Sequence, residues 1–173
     1  LTTLNIGIEQ GDYTFRKEIL NRKIENKRII ESVKICTKQK VRIGANVIIG
    51  FPTETREHIF KTIDLIRKSS PDFSMIHLFQ PYAKTLIRQK CIDENLINDN
   101  FICKNYWFNA IPTGNLSQKE IFGLLRTFHL YVSYPKTKWE KIRKAEKFNE
   151  EGNEIFKKLA KEYQLKHFGR TSF

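Results

Sequence analysis

The sequence contains only three cysteines, Cys36, Cys91 and Cys103. They are too few and too widely spaced for a disulfide framework or for a complete cysteine-rich metal site. We therefore expect a reducing compartment. Cys36 falls on the apolar side of a predicted helix, so we interpret it as a core thiol rather than a ligand.

Several other signatures are missing from the sequence. It has no run of 18 apolar residues and no signal peptide at its start, which predicts a cytosolic protein without a transmembrane segment. A glycine-rich phosphate loop, an HExxH motif and a Ser/His/Asp arrangement are also absent, so the corresponding enzyme classes receive no support. We find no repeat beyond a strand-helix alternation.

Acidic residues are in the minority. The 31 Lys and Arg against 19 Asp and Glu give a net charge of +12, which permits attraction to nucleic acid, anionic lipid or a phosphorylated substrate. The basic residues are spread from Arg16 to Arg170 without a dense block, so we interpret the excess as compositional bias rather than a nucleic-acid site. With 40% hydrophobic residues the chain is globular, not disordered.

The stretch from Gly44 to Thr55, GANVIIGFPTET, organises the first half of the chain. An apolar, β-branched run followed by a Gly-Pro turn and an amphipathic helix is typical of a buried parallel strand with its crossover helix. Alternation places Gly44, Asn46, Ile48 and Gly50 on one face. Asn46 lies within this apolar run, so its amide needs a partner in the protein or in a ligand.

An earlier strand, TTLNIGIE, ends at Glu9. Its alternation puts Glu9 on the face opposite to the apolar side chains, where an uncompensated carboxylate would be costly. Two interpretations remain open: Glu9 contacts a ligand, or it forms a structural salt bridge, for instance to Arg22. A helix predicted from Asn26, with Asn26 as its N-cap, separates this strand from the next.

A third strand is predicted from Phe73 to Phe79. Period-2 alternation places His77 and Gln80 on opposite faces, so they are not expected to face one site together. We interpret His77 as a satisfied core residue rather than a ligand or a base. A helix then begins after Thr85, which completes three strand-helix units.

The rest of the sequence predicts an irregular connection and then helices, beginning with a capping box at Ser117 and Glu120. A basic face between Lys138 and Lys147 is interrupted by acidic residues, which favours a solvated surface. The alternative function is a non-catalytic basic module in which this face and the aromatic residues Tyr106 to Phe108 bind RNA or anionic lipid.

Two segments carry a resemblance to a known family: IGIEQGDYTFRKEILNR, and ANVIIGFPTETREHIFKTIDLIRKSSPDFSMIHLFQPYAKT. Together they resemble the second half of the radical S-adenosylmethionine (radical SAM) barrel. The closest subgroup carries an upstream cobalamin-binding domain and acts on lipids, cell-surface precursors or tetrapyrroles. The landmarks are the Gly-Ile-Glu strand, the Leu-Asn-Arg helix end, the Ile-Ile-Gly-Phe-Pro turn with its Glu-Thr, and the strand ending in Pro-Tyr.

The resemblance implies an α/β fold: a partial parallel (β/α) barrel of three βα units from a TIM-like radical SAM barrel, followed by a helical C-terminal extension. The implied boundaries are residues 1–92 for the barrel half, 93–116 for the irregular connection and 117–173 for the extension. The implied cofactor is S-adenosylmethionine, and the implied substrate is a small molecule, a lipid or a cell-surface precursor.

The resemblance also assigns roles to matching residues. Glu9 would contact the ribose or methionine part of the cofactor, and Arg22 would approach the methionyl carboxylate. Asn46, Ile48 and Gly50 would lie beside the adenine. Gln80 would lie near the adenine and the substrate.

This sequence departs from the family pattern in three ways. It lacks the C-x-x-x-C-x-x-C loop whose thiolates hold a 4Fe-4S cluster, it lacks the first three barrel strands and any cobalamin module, and it has Ala83-Lys84-Thr85 where Pro-Gly-Thr is common. We therefore expect a longer parent protein that supplies the N-terminal barrel half, the cluster ligands and any cobalamin site. The chain alone should bind S-adenosylmethionine weakly or not at all and should not cleave it.

Overall fold

The computed structural model describes residues 2–103 and 110–168. Within them, three strands form one parallel sheet in the order β1 (Thr3–Glu9), β2 (Arg42–Ile49) and β3 (Phe73–Leu78). The predicted α/β class is confirmed, and so are the three predicted strands. The aromatic residues Tyr106, Trp107 and Phe108, which the alternative function assigns to RNA or lipid binding, lie outside the described residues.

Helices connect and follow the strands. Two helices lie between β1 and β2, one lies between β2 and β3, and the others follow β3. They are α1 (Tyr13–Ile19), α2 (Asn26–Lys38), α3 (Arg56–Ser69), α4 (Leu86–Asp93), α5 (Gln118–Ser133), α6 (Trp139–Ala145) and α7 (Glu150–Phe168).

One face of the sheet is buried under helices. Ile43, Ala45, Val47 and Ile49 alternate along β2 and are all at most 1% exposed. Both α2 and α3 contact β2, and α3 contributes a stripe of buried isoleucines to this core. Fully burying one such aliphatic side chain stabilises the fold by about 1.5–3 kcal/mol, so this face fixes the register of the central strand.

The opposite face of the sheet is more open. Gly7 on β1 pairs with Asn46 on β2, and Asn46 pairs with Met75 on β3. Gly7 and Met75 are exposed, and Asn46 is half-buried. A parallel sheet is normally covered on both faces. Here the apolar run of β2 is packed on one side and leaves a polar side chain on the other, as the alternation predicted.

The start of α2 differs from the prediction. Its N-cap is Glu25, which makes no side-chain capping bond, and Asn26 is the first residue of the helix. The Asn26 amide donates to Gly11 O at 2.8 Å and accepts from Arg16 Nη2 at 2.8 Å. The prediction of Asn26 as N-cap was therefore wrong, because tertiary hydrogen bonds to the buried Arg16 and to the turn after β1 use both ends of this amide.

The chain divides into two compact units, one ending at Ile121 and one beginning at Phe122. The first contains the sheet. In the second, Arg126 lies over the Phe148 ring at 4.1 Å and donates to Ala145 O and Lys147 O, which satisfies carbonyls at the end of α6. No helix among the described residues is long and apolar enough to cross a membrane.

Candidate ligand site at the carboxyl ends of the strands

Three of the residues with positive φ lie at the end of β1 and in the loop after β2. Glu9, Gly50 and Thr53 have φ values of 64°, 88° and 64°. Glycine adopts this left-handed region freely, whereas a β-branched residue such as Thr53 does so at a cost. Such strain persists where surrounding bonds enforce it, and it concentrates at binding sites. The carboxyl ends of parallel strands are also where α/β folds bind ligands.

Glu9 and Arg22 form an ion pair at this edge. Arg22 Nη1 lies 2.8 Å from Glu9 Oε1, with 38% and 23% of the two side chains exposed. The structure thus brings together two predicted site residues, and it realises the salt bridge that was one interpretation of Glu9. Because this pair is partly exposed, it contributes little to stability, on the order of 1 kcal/mol or less.

Asn46 lies on the open face with an incompletely satisfied amide. Its Oδ1 atom is buried and has no hydrogen-bond partner among the described residues. Leaving such an acceptor unpaired costs about 1–3 kcal/mol. The sequence predicted that this amide needs a partner, and within the described part of the protein the oxygen has none. A donor from a ligand or from another protein segment would satisfy it.

A pocket of about 400 Å³ lies beside the ends of β2 and β3. Ile48 and Gln80 line it, together with the rings of Phe51 and Phe79, whose centroids are 5.1 Å apart. Glu9, Arg22, Asn46 and Gly50 are not among its lining residues. The predicted site residues therefore fall into two groups along the same sheet edge rather than one cluster.

His77 also lines this pocket, so the prediction that His77 and Gln80 face different sites was wrong. His77 pairs with Ile48 in register and shares its face. Gln80 lies two residues beyond the end of β3, so strand alternation no longer sets the direction of its side chain.

Glu54 is a residue of this edge to which the sequence analysis assigned no role in the site. It is fully buried, and its carboxyl accepts hydrogen bonds from Gly50 N at 2.6 Å, from Phe51 N at 3.3 Å and from Gln10 Nε2 at 3.1 Å. Burial raises the pKa of Glu54 to about 7, against the opposite effect of these three donors. Glu54 therefore joins the end of β1 to the loop after β2. A signal was present in the sequence, because a carboxylate just after a Gly-Phe-Pro turn can accept from the turn's free N–H groups.

The segment around Thr113 holds the same loop from outside. Thr113 Oγ1 donates to Glu54 O at 2.7 Å, Thr53 N donates to Thr113 O at 2.8 Å, and Asn115 Nδ2 donates to Thr53 O at 2.9 Å. These bonds enforce the strained conformation of Thr53. Sequence alone offered no role for this irregular segment, since its contacts are to residues about 60 positions earlier.

The cysteines do not form a metal site. Cys91 is buried in an apolar cluster with Phe15, Phe51 and Phe79, and burial raises the pKa of its thiol to about 11. Cys103 donates to Pro81 O. No group of three His, Cys, Asp or Glu side chains suited to a metal ion occurs in residues 2–103 and 110–168.

Part of the basic face in the second unit is neutralised within that unit. Lys138 Nζ lies 3.1 Å from Glu162, and Lys144 Nζ lies 3.4 Å from Glu151. All four side chains are well exposed, as the solvated-surface interpretation expects. These pairs lower the local positive charge that RNA or anionic lipid would require.

Comparison with known proteins yields one informative similarity. No family model matches the chain. Over 95 residues, 55% of the chain, it is 30% identical to an uncharacterized methyltransferase of Pyrococcus horikoshii, and these residues make up 20% of that protein. The matched part is thus about one fifth of its relative's length, and it is similar to a protein described as a methyltransferase.

Proposed function

We propose that this chain is the part of a radical SAM methyltransferase that binds the adenosyl end of S-adenosylmethionine. The observation that carries the proposal is the buried, unpaired Oδ1 of Asn46 on the open face of the sheet, three residues before the end of β2. The similarity to a protein described as a methyltransferase supports it, because S-adenosylmethionine is the usual methyl donor. The substrate class is a small molecule, a lipid or a cell-surface precursor.

The described residues fit an adenosyl group. Asn46 Oδ1 offers an acceptor for an amino group such as that of adenine, and the rings of Phe51 and Phe79 give the neighbouring pocket aromatic walls. A volume of about 400 Å³ lies in the range of small-molecule sites. Gly50, Ile48 and Gln80 would complete the adenine side.

The Glu9–Arg22 pair fits the other end of the cofactor. A guanidinium has five N–H donors, and the described bond of Arg22 uses Nη1 only, toward Glu9 Oε1. Arg22 can therefore bind a second carboxylate, such as the methionyl carboxylate, without releasing Glu9. Glu9 can accept a hydroxyl hydrogen bond from a ribose through its second oxygen.

The open sheet face is the surface that the missing part of a barrel would cover. In our proposal, β1, β2 and β3 are three adjacent strands of a (β/α) barrel whose lumen contains Gly7, Asn46 and Met75. The partner of this face is the N-terminal barrel half of the parent protein. Closing the barrel would exclude water from the ligand and strengthen its polar contacts.

The described residues do not fit an iron–sulfur cluster, since Cys91 is buried in the core and Cys103 bonds to a carbonyl. We assign the 4Fe-4S cluster, and cobalamin if methyl transfer uses it, to segments outside this chain.

The proposal is tested by anaerobic reconstitution with iron, sulfide, a reductant and S-adenosylmethionine. We expect the 173-residue chain to assemble no cluster and to release no 5′-deoxyadenosine. The parent protein with its upstream segment should release it, and Asn46→Val in the parent should weaken S-adenosylmethionine binding. Cluster assembly and turnover by the chain alone, or unchanged binding in the Asn46→Val parent, would contradict the proposal.

A further inference from the structure

We infer that Glu54 is a positioning residue whose ionised carboxylate holds the loop from Gly50 to Thr53 in the shape that forms the pocket wall. Its place beside a ligand rests on the proposed function. Glu54 is not one of the residues that line the pocket. It acts through Phe51, whose ring lines the pocket and whose N–H donates to Glu54 Oε2 at 3.3 Å.

The hydrogen bonds around Glu54 suit only the ionised form. Oε2 accepts from Gly50 N and Phe51 N, and Oε1 accepts from Gln10 Nε2. The orientation of the Gln10 amide is fixed, because Gln10 Oε1 accepts from Asp12 N. All three partners of the carboxyl are therefore donors. A proton on Oε2, which already accepts two of these bonds, would compete with Gly50 N or Phe51 N, so protonation weakens the hold of the carboxyl on the loop.

Apart from the packing of the Phe51 ring against Phe15 and Phe79, the backbone of this loop is held by a few hydrogen bonds. Gly50 has a φ of 88° and Thr53 a φ of 64°, and the conformation of a β-branched residue at positive φ is held only by its surroundings. The Thr113 segment bonds to Thr53 and to Glu54 O, but Gly50 N and Phe51 N are bonded to the Glu54 carboxyl. Losing that carboxylate would leave Gly50 N and Phe51 N without their acceptor, so only the packing of the Phe51 ring would hold that half of the loop.

No charged group compensates the carboxylate directly. Among the described residues, every hydrogen bond to its oxygens comes from an uncharged donor. The charged side chains of the turn after β1 have other partners: Arg16 donates to Gln10 O, and Asp12 pairs with Lys61 at 2.8 Å. Burial without a counter-ion raises the pKa of Glu54 to about 7, so the carboxyl changes its protonation state near neutral pH.

The experiment follows the backbone amides of Gly50 and Phe51 by ¹⁵N-resolved NMR from pH 5 to pH 9 in the whole 173-residue chain. Both amide protons should move downfield as the carboxylate forms, with one common midpoint near 7, because hydrogen bonds to an ionised acceptor are shorter and stronger. Glu54→Gln should abolish the transition. The matched control is Glu57→Gln, an exposed glutamate three residues later whose removal should leave the midpoint unchanged.

A second variant keeps the inference testable if Glu54→Gln does not fold. Gln10→Ala removes one donor from the carboxylate and should move the midpoint of the Gly50 and Phe51 transition upward. If Glu54 only filled space, the Gly50 and Phe51 amides would show no pH transition in the wild type, and Gln10→Ala would not move its midpoint. Either result overturns the inference. Adenosine titration is scored separately: saturable amide shifts that avoid the sheet edge would contradict the proposed function, while the pH titration of the amides still decides the role of Glu54.

Discussion

The carboxylate of Glu9 occupies the space above Gly7. A Cβ on Gly7 would lie 2.3 Å from Glu9 Oε1 and 3.3 Å from Arg22 Nη1. The Glu9–Arg22 ion pair therefore requires a residue without a side chain at position 7. The same glycine pairs in register with Asn46, so the ion pair and the Asn46 amide lie on one face of the sheet.

The first prediction concerns this glycine. Gly7→Ala should displace the Glu9 side chain, because the clash is with the end of a flexible side chain rather than with backbone. A double-mutant cycle with Glu9→Gln and Arg22→Gln should give a coupling energy of about 0.2–1 kcal/mol in the wild-type background. In the Gly7→Ala background the coupling should vanish. An equal coupling in both backgrounds would show that the ion pair does not depend on Gly7.

The faces of the strands could be predicted from sequence because side-chain alternation is a local property of a strand. It placed Asn46 opposite the buried Ala45 and Val47 correctly. It failed for Gln80, which lies beyond the end of β3, and the capping rule failed for Asn26, whose amide bonds to Gly11 and Arg16 instead. Strand alternation and capping preferences depend on neighbouring residues only, so they do not predict contacts between distant parts of the chain.

The roles of Glu54 and Thr113 were out of reach for the same reason. The carboxyl of Glu54 bonds to Gln10, which is 44 residues earlier, and Thr113 bonds to Glu54 across 59 residues. Which donors meet a buried carboxyl depends on how β1 and β2 pair, and only the folded chain shows that. The Glu9–Arg22 pair, at a separation of 13 residues, was within reach of the sequence as one of two alternatives.

The second prediction concerns backbone strain at Thr53. Its φ of 64° is unfavourable for a β-branched residue, so Thr53→Gly should raise the free energy of unfolding. The expected gain is about 1 kcal/mol, measured by hydrogen exchange of β2 amides. Thr53→Ala keeps a Cβ and serves as the control, with a smaller gain. A loss of stability in Thr53→Gly would indicate that the bonds of the loop to Thr113 and Asn115 do not survive the substitution.

The third prediction concerns stability against pH. The pKa of Glu54 is raised from 4.5 to about 7 in the folded chain, so the folded state binds the extra proton between these values. Its stabilising contribution is present at low pH and is lost as pH rises toward and through 7, by up to about 3 kcal/mol. The free energies of opening of the β2 amides, measured by hydrogen exchange, should therefore fall from pH 5 to pH 8.

Two other groups must be separated from this effect. Burial raises the pKa of Asp12, but the hydrogen bonds from Lys61 and the Phe15 N–H lower it further, so the pKa lies below its ordinary value of 3.8. The contribution of Asp12 to stability therefore changes below the tested pH range. Burial lowers the pKa of His129, which costs stability as pH falls, but His129 belongs to the second unit. Glu54→Gln should flatten the β2 profile. A profile that is equally steep in this variant would assign the effect to another group.

The fourth prediction concerns Asn46. Replacing it with valine removes a buried acceptor without a described partner, so Asn46→Val should raise the free energy of unfolding by about 1 kcal/mol. The same change should weaken adenosine binding about tenfold, equivalent to about 1.4 kcal/mol. Asn5→Val, at an exposed position of β1, is the control for the polarity change. A destabilised Asn46→Val protein would mean that its amide has a structural role.

The most direct test of the central claim is to map 5′-deoxyadenosine on the ¹⁵N-labelled chain by NMR. Since the pocket and the sheet edge are already formed, we expect weak, saturable binding with amide shifts at Asn46, Ile48, Gly50 and Gln80. The amides of α2 and of the basic α6 should not respond. Saturable shifts confined to those helices would contradict a cofactor-binding sheet edge.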